Sequence, residues 1–448
     1  MPGKAELCFL SATQILSLLK DNVIIIEDYA RSLLHRIDQR DDIVKAWAYL
    51  DSQQILRQAR ALDRVPPTQR GPLHGLAIAI KDSINTKAGW FPLPGKTTTP
   101  GLTWLNSGPQ TANLHDVNRT PGRSSTGSAA VAADFQVPFS IGTQTSGSII
   151  RPASYTGIFA MKPTYNAISL KGQKICSISL DTIGFFARYI EDLQLLTDAF
   201  SLKDIHPHKT IPLKEIRDQA GPGTITAMNT AFTILHNRGI KIDQVAFPPE
   251  YANSKVLAQN FNTIYETEAR SSFRQEYNMD KSKLHPEIRT FVETPPPLHK
   301  NTLKLSTTSP ASEKSSLLPS SPNRRNSHPQ RPRRSTSRST RYGKFGIQFL
   351  LDSAYILSSL PTIPPLLLHP HPHLITSTNP IHVLQSQKST HMPVNIPAFI
   401  GPTRMPIGLS LIASPFRDQH LLFLAKCIAE PLMSEGGCKG NSPPNHQV

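Results

Sequence analysis

The period of the apolar positions changes along the chain. Over residues 11–63 they recur mostly at helical spacing. Ser11 with Gln14 makes a capping box ahead of ILSLL and predicts a helix start. Tyr29, Leu33 and Ile37 share one face of a second helix, VKAWAYL at 44–50 favours a strand, and 52–62 favours a third helix. GPLHGLAIAIKD at 71–82 switches to alternation, with Leu76, Ile78 and Ile80 on one side of an extended segment and Ala77, Ala79 and Lys81 on the other. From Lys81 to Ser124 the chain is rich in Thr, Pro, Gly and Asn and reads as loop. STGSAAVAADF at 125–135 is a run of small helix formers able to pack close to a sheet, and 136–141 favours a strand with Pro138 near its edge. Residues 143–148 turn the chain, Ser148 opens another helical turn, and GIFAM at 157–161 returns as a strand. Such alternation implies α/β architecture. Further on, Ile225, Met228, Phe232 and Leu235 define a helix face expected to lie in the core.

Composition complicates this picture in one place. The 448 residues include 40 prolines, and the formal net charge is +16. Most of that charge lies in 300–344, where Glu313 is the single acid among many Lys and Arg. This Pro/Ser/Arg-rich stretch has no sustained period and is expected to be disordered over 293–390. It lacks interleaved aromatics, so nucleic acid is not an expected partner. His369, His371 and His373 alternate with prolines and read as surface rather than as a metal site. Cys8, Cys176, Cys427 and Cys438 have neither disulfide-framework nor zinc-ligand spacing. No apolar run reaches the roughly 20 residues of a spanning helix, and the expected location is cytoplasmic.

The chemistry concentrates at 121–152. Ser124 and Ser148 each precede a helical segment, where free backbone N–H groups and the helix dipole favour an oxyanion. A nucleophilic serine needs a base, and this stretch contains no histidine. Lys81 closes an apolar strand between small residues, where desolvation can supply a neutral amine.

GLAIAIKD, PGRSSTGSAA, GTQTSGSIIRPAS and GIFAMKPT, in this order, resemble the amidase signature family, with TQT and IIRPAS similar to its fungal members. DTIGFFARYIEDLQLL, the segment 221–245, MPVNIPAF and MPIGLSLIASPFRDQHLL extend the resemblance. It implies an α/β fold with a mixed central β-sheet flanked by α-helices on both faces. It also implies a Ser-Ser-Lys triad: Ser148 as nucleophile, Ser124 as bridging serine and Lys81 as base. The backbone N–H groups of Thr145, Ser146, Gly147 and Ser148 would form the oxyanion hole. The implied reaction is hydrolysis of a small-molecule amide through an acyl-enzyme, without metal or organic cofactor, by a stand-alone monomer or homodimer.

The resemblance places the amidase domain at 1–292 and 391–432, shortened between 85 and 120, with a disordered tail at 433–448. Three residues depart from the family wording. Arg123 replaces a glycine before the bridging serine, Ser146 replaces a glycine in the oxyanion turn, and Gln144 stands where many relatives have aspartate. A positive φ at Ser146 would cost about 1–2 kcal/mol. Glutamine at 144 can still bond a neighbouring backbone group. The short link to Ser124 suggests the loss of a block that in relatives forms a helix and leads into a strand ending near Gly95-Lys96-Thr97; a sheet missing that neighbour would leave an edge for Trp90 to Gly95 to cover. These departures keep an inactive family member as the alternative reading.

Overall fold

Capping and burial shape the N-terminal helices as their pattern predicts. In the computed structural model, which describes residues 4–86, 95–99, 110–204, 222–240, 254–294, 349–351, 392–413 and 415–438, helix α1 (Ala12–Lys20) starts at Ser11. The Ser11 hydroxyl accepts the Gln14 N–H at 3.1 Å, and the Gln14 side chain accepts the Ser11 N–H at 2.9 Å. Helix α2 (Ile26–Val44) buries Tyr29, Leu33 and Ile37. Lys45 ends it in the left-handed region, so β1 (Trp47–Leu50) begins later than its apolar run does. Asp51 caps α3 (Ser52–Asp63).

The centre of the chain supplies β2 (Ile78–Lys81), β3 (Gly95–Thr97), α4 (Thr126–Ala133), β4 (Phe139–Gln144), α5 (Ile150–Thr156), β5 (Phe159–Met161), β6 (Thr182–Ala187) and α6 (Ile190–Ala199). Then come α7 (Pro222–Asn237), α8 (Ser254–Asp280), α9 (Pro286–Glu293), β7 (Phe349–Leu351), β8 (Met392–Ile400), β9 (Pro406–Ala413) and α10 (Asp418–Gly436). All belong to one unit formed by 1–296 and 346–448.

The strands form a mixed sheet in the order β1-β3-β2-β4-β6-β5-β8-β9-β7. Strand β2 pairs in parallel with β3 and β4, and every other pairing is antiparallel. Adjacent residues of β6 show the two buried faces: Phe185 joins the cluster built with α1, α2, α6, α7 and α10, whereas Phe186 joins that built with α4 and α5. The sheet is thus covered by helices on both faces.

Several local expectations shift. β3 occupies the edge of β2 that the short link was expected to leave bare, and β1 pairs outside it; residues 90–94, expected to cover that edge, lie outside the described set. β4 starts at Phe139 and runs on through Thr143 and Gln144. The delay follows from a left-handed Phe135 (φ 63°) and from Gln136, whose side chain accepts the Trp47 indole N–H at 2.6 Å instead of facing a strand neighbour. On α7 the buried face is Thr224, Ala227, Ala231, Ile234 and Leu235, while Phe232 is 40% exposed. Two alanines on the inner side allow closer packing than a phenylalanine would. Finally, β7 lies within 293–390 and pairs antiparallel with β9, whereas 295–348 and 352–390 fall outside the described residues. At the other end, α10 continues to Gly436, past the expected start of the C-terminal tail.

One buried cation ties the N-terminus to the sheet. The Arg188 guanidinium donates to the carbonyls of Ala132 (2.9 Å), Val137 (2.6 Å), Cys8 (3.3 Å) and Leu10 (3.1 Å) and lies 4.5 Å over the Phe135 ring. Nearby, Asp192 accepts the Ala12 and Thr13 N–H groups. Arg188→Met leaves four carbonyls without this donor, and a loss of about 3 kcal/mol or more is expected from the denaturant midpoint.

Candidate active site

Parallel pairing brings the C-terminal ends of β2, β3 and β4 to one edge of the sheet, the edge at which open α/β sheets place their ligands. Lys81 ends β2 and is 2% exposed. Its Nζ donates to Ser124 Oγ at 2.7 Å and to Thr143 Oγ1 at 2.8 Å. Burial lowers the lysine to about 7, with Asp181 and the Cys176 thiol pulling the other way. A large fraction of the amine is therefore neutral near neutral pH.

Ser124 lies in the loop entering α4. Gly122 there has φ +90°, and a Cβ on it would sit 2.9 Å from Pro152 Cα; both the conformation and the close approach require glycine. The Arg123–Ser124 peptide is cis. Arg123 is half-buried, and its carbonyl accepts the Arg151 guanidinium at 2.8 Å. Because Arg151 and Pro152 are on α5, this loop lies against the helix that follows Ser148.

Ser148 is 5% exposed and ends the turn after β4. Gln144 shapes that turn: its Oε1 accepts the Ile149 N–H at 2.8 Å and the Ile150 N–H at 3.1 Å, capping α5. Ser146 is absent from the residues with positive φ, so the strain expected there does not arise. Among the described residues, the N–H groups of Ser146, Gly147 and Ser148 have no hydrogen-bond acceptor. Thr145, Ser146 and Gly147 are half-buried, so a group reaching this turn would find donors with no partner among the described residues.

The structure therefore joins Lys81 to Ser124 and sets Ser148 on the adjoining turn, without a hydrogen bond between Ser148 and Ser124 among the described residues. Two neighbours were missed by the sequence pattern. Thr143, which the pattern places in a turn, is a strand residue whose hydroxyl faces Lys81. Asp181 is 1% exposed and accepts the Thr145 hydroxyl at 2.6 Å; its signals are its place ahead of an apolar strand and at the head of the DTIGFFARYIEDLQLL block.

A family model for amidases matches residues 28–91 and 95–422. The chain belongs to the amidase family. Among curated proteins it is similar to a subunit of glutamyl-tRNA(Gln) amidotransferase from Staphylococcus aureus, 29% identical over an alignment of 280 residues that covers 55% of this chain and 55% of that protein. The chain thus spans about half the length of the curated relatives it matches. Among solved structures, the chain resembles an amidase crystal structure with a TM-score of 0.70 at 20% identity, covering 94% of this chain and 100% of that one. It also resembles 6-aminohexanoate cyclic dimer hydrolase, with a TM-score of 0.68 at 16% identity and coverage of 95% and 97%. For fatty acid amide hydrolase the TM-score is 0.61 at 17% identity, with coverage of 96% and 86%. At these identities the likeness to solved structures is one of fold. No helix among the described residues is long and apolar enough to cross a membrane.

The Gln144 cap gives the chain a measurable weak point. Gln144→Ala leaves two N–H groups of α5 without their acceptor. A loss of about 1 kcal/mol is expected from chemical denaturation.

Proposed function

We propose that the protein hydrolyses a carboxylic amide through Ser148, with Ser124 as proton relay and Lys81 as base. The observation that carries this reading is the buried Lys81 amine, lowered to about 7 and 2.7 Å from Ser124 Oγ. A neutral amine accepts the Ser124 proton along that contact. Ser124 in turn takes the proton of Ser148 as Ser148 Oγ attacks the carbonyl carbon. Closing the Ser148–Ser124 link accompanies substrate binding, since catalytic hydrogen bonds tighten in the reacting complex.

The carbonyl oxygen becomes an oxyanion against the N–H groups of the 145–148 turn. Each well-aimed donor contributes about 3 kcal/mol to the transition state. As the C–N bond breaks, the relay returns its proton to the leaving amine, and an ester on Ser148 remains. Water then gives a proton to the same relay and attacks the ester, releasing a carboxylic acid and restoring the Ser148 hydroxyl.

The likeness to one subunit of an amidotransferase supports a second source for the amide, glutamine, with ammonia as the leaving group. The TQT and IIRPAS wording favours a stand-alone hydrolase. Both use the same serine.

A fluorophosphonate probe tests the assignment. Labelling is expected at Ser148, to vanish in Ser148→Ala and to fall by at least about 100-fold in Lys81→Met. Because the base must be uncharged, the labelling rate should rise with pH through about 7 and then level off. Labelling that survives Ser148→Ala would refute the reading.

A further inference from the structure

The donor turn has one polar side-chain tether among the described residues. Thr145 Oγ1 donates to Asp181 Oδ1 at 2.6 Å. The other oxygen, Oδ2, accepts the Cys176 N–H at 2.7 Å and, at 3.3 Å each, the Ser177 N–H and the Gln173 side-chain amide. Every one of these partners is a donor, so all four bonds are made when Asp181 is a carboxylate. The segment gripped by Oδ2 is anchored in turn to α8. Glu268 accepts from Ser177 Oγ, from the Ser179 N–H at 3.1 Å and from Ser179 Oγ at 2.8 Å. Lys174 pairs with Glu276 and donates to the Ser272 carbonyl at 2.9 Å.

Resting on the assignment of Ser148 as nucleophile, we infer that Asp181 is a positioning residue for amide hydrolysis, its two oxygens locking the Thr145–Ser148 turn to the Gln173–Ser177 segment. Two points of the backbone already hold this turn: the end of β4 and the α5 N-terminus capped by Gln144. Between them, the Thr145 hydroxyl fixes how the amides of Ser146, Gly147 and Ser148 point. A displacement of about 1 Å at such donors costs roughly 100-fold in rate.

Asp181 also bears on the base. Its charge favours the protonated form of Lys81, against the burial that disfavours it. The titratable groups acting on Lys81 are Asp181 and the Cys176 thiol: burial pushes the thiol up to about 12, and it also raises the Asp181 carboxyl, against the hydrogen bonds from Thr145, Cys176 and Ser177 that favour its carboxylate. Removing the Asp181 charge therefore lowers the proton affinity of Lys81.

Fluorophosphonate labelling of Ser148 in the full chain, followed against pH alongside the thermal midpoint, separates these roles. Thr145→Val, which removes only the donor, should slow labelling by roughly 10- to 100-fold without moving the rising limb. Thr145→Ser should restore most of the rate. Asp181→Asn should slow labelling to a similar extent and move the limb to lower pH. Wild-type rates in both Thr145→Val and Asp181→Asn would overturn the inference, as would equal losses in Thr145→Val and Thr145→Ser. If Asp181→Asn does not fold, the Thr145 pair decides alone. Failure of the wild type to label at Ser148 would instead remove the nucleophile assignment, and the inference with it.

Discussion

A lysine amine enclosed at the end of a central strand is expensive to keep charged unless a carboxylate or several strong acceptors meet it. Lys81 meets hydroxyls instead. Among the described residues it bonds to Ser124 and Thr143, and Asp181 acts on it through space. Burial therefore dominates and holds the amine close to neutrality at ordinary pH. An ion pair in place of the hydroxyls would favour the protonated lysine. Among the described residues no carboxylate contacts the amine directly, and the packing around the strand keeps it buried.

That packing is possible because α4 lies very close to the sheet. Every residue of Thr126–Ala133 is buried, and none is larger than valine. A Cβ on Gly127 would lie 2.5 Å from the Ala46 carbonyl oxygen and the Thr98 nitrogen. Hydroxyls satisfy the polar groups drawn into this narrow interface. Ser128 Oγ donates to the Ile141 carbonyl and meets Thr97 Oγ1, Ser140 Oγ donates to the Ser128 carbonyl, and Ser125 Oγ bridges the N–H and carbonyl of Thr143. Small side chains bring the helix in, and serine and threonine prevent that approach from stranding backbone groups. Ser124, one residue before the Ser125 N-cap, consequently comes within reach of Lys81.

The periodic parts of this arrangement were legible in the sequence. The capping box at Ser11, the buried stripe of α2, the small-residue helix and the two serine loops all follow from spacing and residue type. Lys81 was identifiable because two alanines flank its side of the strand. Long-range partners left no such trace. Asp181 reaches Thr145 from 36 residues away, and its role exists only once β6 has paired with β4. The periodicity does not show β3, because three residues are too few to alternate; only the resemblance points to a strand near Gly95–Thr97, and its place comes from pairing with β1 and β2. On α7 the helical period was correctly recognised, but it could not tell the alanine face from the phenylalanine face.

The departures from the family wording acquire a physical reading in the same way. Residue type constrains a turn only where a side chain has nowhere to go or where φ is positive. Neither condition holds at Arg123: it is half-buried, and the contact it supplies to Arg151 comes from its carbonyl, which any residue carries. Ser146 is half-exposed with φ in the ordinary negative range. Gln144 replaces an acid with an amide yet supplies the oxygen that two α5 N–H groups need. The strict requirement falls on Gly122, which combines a positive φ with a backbone neighbour 2.9 Å from where its Cβ would be. There the Ser124 loop meets the helix that follows Ser148, and there an added methyl group would push the two loops apart. The geometry that relates Ser124 to Ser148 is thus carried by Gly122 against Pro152, so substitutions at 123 and 146 leave that contact in place.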